Sequence, residues 1–208
     1  MKILFSGYDA ETRELMLRVC AEVLPEAEKR QLHRAAHFAA LDLLGAVLAE
    51  DFGVYHAVIH RSGLGKPKLL HDSLYMNLSH CKGLAVAAVG RMPLGVDAEA
   101  PRRVKDSLMQ KVCTPEEYAA IMEADDKSRA FTKFWTLKEA YAKYTGEGIA
   151  LDFSALGFSV LQDGTIRFDR PEADHVQLVQ IPLREYTVSL CYEYNTSNMK
   201  MMQEVFLC

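Results

Sequence analysis

Hydrophobic and polar residues follow two different periods along the chain. Residues 10–23 and 26–50 carry apolar side chains every three to four positions, which predicts two helices separated by Pro25. From Leu74 the period changes. SLYMNLSH alternates, and the apolar runs LAVAAVG and LGVDAE follow after short turns. The centre of the chain is therefore predicted to form a meander of three strands.

Helices return after this predicted meander and then give way to strands again. Residues 115–122 follow Thr114, a typical N-cap, and residues 127–144 continue the helical spacing. Short strands are then predicted at residues 158–161, 165–168, 176–181 and 186–192. Helices and antiparallel strands in separate runs indicate an α+β fold, as one domain or as two small domains packed as a unit.

Composition excludes several classes of protein. The 208 residues are 50% hydrophobic and carry a formal net charge of -4, so a general nucleic-acid binder is not expected. No apolar run approaches the roughly 20 residues that cross a membrane, and the N-terminus does not resemble a signal peptide, so we expect a cytoplasmic protein. The five cysteines are far apart and contain no C-x-x-C, which favours free thiols over disulfides or a zinc site.

The segment LGVDAE places two acids on one face of a strand. Asp97 and Glu99 are two residues apart and point the same way, while Val96 and Ala98 point the other way. Their mutual repulsion is relieved by solvent, by protonation of one acid, or by a cation. The sequence alone therefore leaves open a solvated strand end and a site for a hard cation such as Mg²⁺.

The segment KFWTLKEAYAKYTGEG carries a stripe of residues at four-residue spacing. Glu139 lies four residues after Trp135 and four before Lys143, so the three share one face of a helix. An exposed Glu-Lys pair would stabilise that helix by only about 0.2–0.5 kcal/mol. That interpretation does not explain why the stripe ends at Gly146 and Gly148, where a loop can approach a ligand closely.

Two further segments suggest contacts to phosphate. In NLSHCKG, Ser79 and His80 are predicted at a strand end beside a turn, where they are candidates to bind phosphate or to serve structure alone. GLGKP contains Lys66 but lacks the spacing of a P-loop, and Pro67 follows the lysine, so that motif is rejected.

Taken in order, the segments GKP, NLSH, GVDAE, a Glu-Tyr pair and WTLKEAYAKYTGEG resemble the 4'-phosphopantetheinyl transferases, of the larger surfactin-synthetase-activator type. The resemblance implies an α+β fold with two similar halves, related by a pseudo-two-fold, and an active site in the cleft between them. Residues 1–95 would form the half that contacts the phosphates of coenzyme A. Residues 96–208 would carry the metal-binding acids and the catalytic helix.

The resemblance also implies a role for each matching residue. Mg²⁺ would be bound by Asp97, Glu99 and Glu139, and the catalytic residues would be Glu139, Lys143 and Glu117. The coenzyme A phosphates would be bound by Lys66, Ser79, His80 and Arg34. The reaction would move phosphopantetheine from coenzyme A to a serine of an apo acyl or peptidyl carrier protein and release 3',5'-ADP. Glu139 or Glu117, directly or through water, would take the serine proton.

Two other functions are compatible with the same residues. The same acids could serve a Mg²⁺-dependent hydrolase that cleaves the coenzyme A pyrophosphate, or the protein could be a catalytically silent coenzyme A-binding protein. Residues 101–111 carry a local charge of +3, and carrier proteins of this family are acidic, so we expect the carrier to dock there. The basic residues are Arg102, Arg103, Lys105 and Lys111. The protein is expected to be a monomer.

Overall fold

The computed structural model describes residues 1–25, 32–61, 66–161, 163–170, 174–194 and 201–206. The first half of the chain forms most of a five-stranded antiparallel sheet with strand order β12-β1-β2-β6-β5. Its elements are β1 (Lys2–Asp9), β2 (Leu15–Val23), α1 (Leu32–Phe52), β3 (Ile59–His60), β4 (Lys68–Leu69), β5 (Tyr75–Cys81) and β6 (Leu84–Gly90), joined by the last strand, β12 (Met201–Val205).

The second half forms a three-stranded antiparallel sheet with strand order β10-β11-β7, and the long helix of this half packs on the sheet. Its elements are β7 (Leu94–Glu99), α2 (Asp106–Val112), α3 (Pro115–Glu123), α4 (Lys127–Thr145), β8 (Phe158–Val160), β9 (Ile166–Phe168), β10 (Val176–Leu183) and β11 (Tyr186–Glu193). β8 and β9 pair as a separate small hairpin.

The two halves repeat one topology. In the first half β2 is followed by the long helix α1 and by the hairpin β5–β6, and the last strand pairs with the first to give the order β2-β6-β5. In the second half β7, α4 and the hairpin β10–β11 follow in the same way and give the order β7-β11-β10. The predicted α+β class is confirmed, and it consists of two similar halves.

The sheets pack face to face with a helix on each outer side. Val86 and Ala88 of β6 face a core shared with Val96 of β7, whereas Ala87 and Val89 face the core beneath α1. Both faces of β6 are therefore buried, which explains its uninterrupted apolar sequence. No helix of the described residues is long and apolar enough to span a membrane.

The N-terminal prediction is partly wrong. Residues 15–23, predicted as helix, form β2, an inner strand paired with both β1 and β6. Its two faces are both buried, so its apolar residues lack the alternation that distinguishes a strand from a helix. The second predicted helix corresponds to α1, although residues 26–31 lie outside the described residues. The short helix α2 and the strands β1 and β12 were not predicted.

The predicted three-stranded meander is also wrong in one respect. β5 and β6 form the expected hairpin, with Gly83 at a φ of 82° in its turn. β7, however, leaves that sheet and pairs with β11 across residues 94–99. The strand that bears Asp97 and Glu99 is therefore the first strand of the second half, close to the predicted boundary between the halves at residue 95.

Candidate active site

The active-site candidates meet where α4 crosses β7. A Cβ atom built on Gly95 would lie 2.2 Å from the carbonyl oxygen of Ala140 and 2.4 Å from the amide nitrogen of Tyr144. Only a glycine allows the main chains of the strand and the helix to approach this closely. The contact places the α4 residues Glu139 and Lys143, which flank Ala140 and Tyr144, beside the acidic face of β7.

Asp97 is at the centre of this junction and is 6% exposed. Its Oδ1 atom accepts hydrogen bonds from Lys143 Nζ at 2.7 Å and from Ser79 Oγ at 3.0 Å. Its Oδ2 atom is buried and accepts no hydrogen bond from any described group. A buried carboxylate oxygen with no donor indicates that another positive group is expected there.

Glu99 and Glu139 add further negative charge to the same place. Burial raises the pKa of Glu99 to about 7, and the neighbouring Asp97 and Glu139 carboxylates add to the effect against the opposing charges of Arg102 and Lys143. Burial also raises the pKa of Glu139, again with repulsion from Asp97. The three predicted acids therefore share one electrostatic environment that lacks sufficient positive charge.

This environment suits a hard divalent cation. Carboxylate oxygens are the ligands that Mg²⁺ prefers, and Asp97 Oδ2 offers an oxygen that no described donor occupies. Among the described residues, however, no three acidic, histidine or cysteine side chains already stand in a coordinating arrangement. The acids fit the ion by type and charge.

Positive charge gathers on the other side of Lys143, around a cavity of about 380 Å³. Every charged side chain among the described residues that line this cavity is basic. These are His37, Arg61, Lys66, His80 and Lys143. A cavity with only cationic charges on its wall suits a polyanion such as a phosphorylated ligand.

Lys66 is held at this cavity by an unusual contact. Its ammonium group donates a hydrogen bond to the carbonyl oxygen of Leu94 at 2.6 Å. Burial lowers the pKa of Lys66 to about 8, and the nearby charges of Lys68 and Lys143 also lower it. A bound anion would relieve this concentration of positive charge.

A comparison with known families supports the resemblance. The model of the 4'-phosphopantetheinyl transferase superfamily matches residues 93–191, a span that contains β7, α4 and the three acids. Over this span the chain is similar to the 4'-phosphopantetheinyl transferase superfamily.

Two curated proteins and one solved structure illustrate how far the similarity extends. The chain is 30% identical over 155 residues to the 4'-phosphopantetheinyl transferase HetI of Nostoc sp., which covers 68% of this chain and 65% of that protein. It is 25% identical over 113 residues to the transferase Sfp of Bacillus subtilis, over 52% of this chain and 50% of that protein. The chain thus spans between half and two thirds of the length of these two relatives.

A solved structure, the holo-[acyl-carrier-protein] synthase from Neisseria meningitidis, aligns with a TM-score of 0.43 and 20% identity, over 50% of this chain and 98% of that chain.

Two residues predicted from the superfamily resemblance are placed elsewhere. Glu117 is 2% exposed, and its carboxylate caps α3 by accepting the amide hydrogen of Thr114 at 3.0 Å. The same carboxylate accepts from the amide of Phe158 at 2.9 Å and pairs with the ammonium of Lys138 at 2.7 Å. Because both of its oxygens are satisfied inside the protein, Glu117 has a structural role here, and its role as a catalytic acid or base stays a prediction.

Ser79 is likewise committed to the protein interior. Its hydroxyl donates to Asp97 and accepts from the amide of Ala98 at 3.1 Å and from Lys143 Nζ at 3.2 Å. In this structure Ser79 therefore contacts Asp97, and its predicted contact to phosphate stays a prediction. Arg34 is exposed at the start of α1 and is not among the described residues that line the cationic cavity.

His37 and Arg61 line the cationic cavity but were missed by the sequence analysis. His37 lies on α1 and packs edge-to-face on His80, with ring centroids 5.5 Å apart. Arg61 follows β3, two residues before the GLGKP segment begins, and residues 62–65 lie outside the described residues. Their proximity to Lys66 and Lys143 depends on the tertiary fold, so no local pattern in the sequence indicates it.

A second cavity, of about 420 Å³, is lined by Glu139. Trp135 lines it, stacks on Phe131 with ring centroids 5.9 Å apart, and meets Phe153 edge-to-face at 5.5 Å. Lys111 lines the same cavity. The other basic residues predicted for docking, Arg102, Arg103 and Lys105, are exposed.

Proposed function

We propose that this protein transfers 4'-phosphopantetheine from coenzyme A to a serine of an apo carrier protein, with 3',5'-ADP as the second product. One observation carries the proposal: a group of three carboxylates meets a cavity with only cationic charges, and Lys143 lies on the boundary between them. A reaction that cleaves a pyrophosphate next to a divalent cation needs both kinds of charge side by side.

The reaction assigns a task to each described group. The serine oxygen attacks the phosphorus that carries pantetheine, the bond from that phosphorus to the bridging oxygen breaks, and 3',5'-ADP leaves with the electron pair. Lys66, His80 and Lys143 bind phosphate oxygens and offset their charge. Mg²⁺, when bound by Asp97, Glu99 and Glu139, would supply further neutralisation of the pyrophosphate and hold it in place.

Glu139 is the better of the two acids considered as the base. Glu117 is buried and fully hydrogen-bonded, whereas Glu139 is half-buried and has a raised pKa. Glu139 also lines the cavity of about 420 Å³, so its carboxylate can face both Asp97 and an incoming group. We assign it to take the serine proton, directly or through a water molecule.

The carrier protein would approach over the basic segment 101–111. Four basic residues against Asp106 make this segment positive on an otherwise acidic chain, and Lys111 borders the cavity beside Glu139. Charge reversal at Arg102 and Arg103 should slow association with an acidic carrier and leave coenzyme A affinity nearly unchanged, and added salt should narrow the difference from wild type. Equal rates at low salt would place the docking surface elsewhere.

A cytoplasmic location and a monomeric state remain predictions from the sequence.

The activity is tested by incubating the protein with coenzyme A, Mg²⁺ and a panel of apo carrier proteins, followed by intact mass measurement. We expect a phosphopantetheine adduct on at least one carrier and none with Asp97→Asn, which keeps the shape of the side chain but loses its charge. Release of free phosphopantetheine without an adduct would indicate a hydrolase. Binding of coenzyme A with neither product would indicate a silent binding protein.

A further inference from the structure

The strand that bears the acids has one edge that is not paired by another strand. β7 pairs with β11 along one edge, and β5 runs beside its other edge in the same direction. The described main chains of β5 and β7 are not hydrogen-bonded to each other as sheet neighbours. Such an edge leaves amide and carbonyl groups that must find other partners when they are buried.

Side chains supply these partners on the amide side. The amide of Val96 donates to Asn77 Oδ1 at 2.9 Å, and the amide of Ala98 donates to Ser79 Oγ at 3.1 Å. Asn77 and Ser79 are alternate residues of β5 and both are buried. The two amides that flank Asp97 are therefore held by two side chains from the other half of the molecule.

Side chains also satisfy the carbonyl groups of the same edge. Lys66 Nζ donates to the carbonyl oxygen of Leu94 at 2.6 Å, and Lys143 Nζ donates to that of Val96 at 3.1 Å. The motif residues from three separate parts of the chain thus converge on one strand edge. Asn77 and Ser79 bear no charge, so they are not needed to neutralise phosphate. Their hydrogen bonds instead hold β7 in its orientation.

Ser79 additionally fixes the carboxylate of Asp97. Its hydroxyl hydrogen points to Oδ1 of Asp97, since its oxygen accepts from an amide and an ammonium group that can only donate. Oδ1 is then engaged by Ser79 and Lys143, and Oδ2 is the oxygen left for a cation.

We propose that Asn77 and Ser79 are positioning residues for the metal site: they hold β7 in place through its free edge and direct Asp97 Oδ2 toward the cation. The inference rests on the proposed function and refines it, because it assigns the N-x-S part of the NLSH segment to the metal site rather than to coenzyme A. Loss of a group that orients a metal ligand typically costs about 10–100-fold in metal affinity.

The test is a titration of the protein with Mn²⁺, a spectroscopic substitute for Mg²⁺, in which free Mn²⁺ is measured by electron paramagnetic resonance. Ser79→Ala should weaken Mn²⁺ binding about tenfold or more. The KM for coenzyme A should change by less than about twofold, because Ser79 is proposed not to contact coenzyme A. Ser79→Thr keeps the hydroxyl and should restore most of the affinity. Asn77→Leu should weaken binding in the same way, because the amide of Val96 loses its acceptor.

Ser189→Ala is the matched control. Ser189 is buried on β11 directly opposite Asp97, but its hydroxyl bonds Thr136 and Gln180 instead. It should therefore leave Mn²⁺ affinity unchanged even if it lowers stability. If Ser79→Ala is poorly folded, the comparison of Ser79→Thr with Ser79→Cys, a weak acceptor of similar size, gives the same information.

The outcomes separate this inference from the proposed function. A raised KM for coenzyme A with unchanged Mn²⁺ affinity would make Ser79 a phosphate contact and overturn the inference, as would unchanged values of both. A wild-type protein that modifies no carrier, but whose Mn²⁺ affinity still depends on Ser79, would refute the transferase and leave the positioning role intact.

Discussion

Replacing Gly95 with alanine would push one methyl group into the main chain of α4. The added Cβ would lie 2.2 Å from the carbonyl oxygen of Ala140 and 2.4 Å from the amide of Tyr144. Real Cβ atoms essentially never come closer than 3.0 Å to such atoms, so strand and helix must separate by about 0.8 Å, the difference between the two distances. Both contacts are to backbone, and no side-chain rotation can relieve them.

This displacement has two separate costs. Overpacking of a well-packed contact destabilises a protein by about 1–3 kcal/mol. The same shift moves Glu139 and Lys143 away from Asp97, and a misplacement of about 1 Å at a reaction centre can cost on the order of a hundredfold in rate. We therefore expect Gly95→Ala to lose much more activity than its loss of stability can explain.

Urea unfolding and steady-state kinetics at a temperature where the variant is folded measure the two effects. Gly45→Ala is the control, because Gly45 is an exposed residue inside α1 with no atom within 4 Å of its added Cβ. It should stabilise the helix by about 0.5–1 kcal/mol and leave the rate unchanged. A Gly95→Ala protein with wild-type stability and kcat/KM would refute the account of the strand–helix contact.

Three further predictions follow from the charges at and near α4. Lys143→Met removes the ammonium that competes for the metal-site acid, so Mn²⁺ alone should bind more tightly, whereas Lys133→Met, an exposed charge change on the same helix, should not have this effect. The folded pKa of Glu99 is about 7 against an ordinary 4.5, so its protonation stabilises the metal-free protein fully below pH 4.5, and this is lost as the pH rises through 7. Glu99→Gln should therefore raise the melting temperature in a chelator at pH 8 more than at pH 5, and equal shifts would contradict the assigned environment. Lys138→Met leaves the buried carboxylate of Glu117 without its cation and should cost about 3–5 kcal/mol in urea unfolding; a change below 1 kcal/mol would refute the pair.

The sequence predicted the elements whose local pattern and tertiary environment agree. α4 begins at an Asp126 cap, ends at Gly146 in the left-handed region, and shows its buried stripe along one side. β7 alternates because one face meets the shared core and the other meets α4. The positions of Asp97 and Glu139 beside each other follow from these two patterns together with the family resemblance.

The N-terminal helix prediction failed because a strand that is buried on both faces lacks the alternation of apolar and polar residues. β2 lies between two strands and two layers, so its apolar residues lose the period of two. The structural role of Glu117 could have been predicted, because Thr114 and Glu117 have the spacing of a capping box in the sequence. The basic residues of the cationic cavity come from α1, β5, α4 and the connection between β3 and β4, and no local pattern can bring them together.

The free edge of β7 also bears on how the chain can be divided. A fragment that begins at residue 93 would lack Asn77, Ser79 and Lys66. It would therefore expose the three main-chain groups of β7 that these side chains cover in the intact protein. An open edge of this kind pairs readily with another strand. Produced alone, the second half should therefore self-associate through β7, and the first half supplied as a separate chain should compete for that edge and restore a heterodimer.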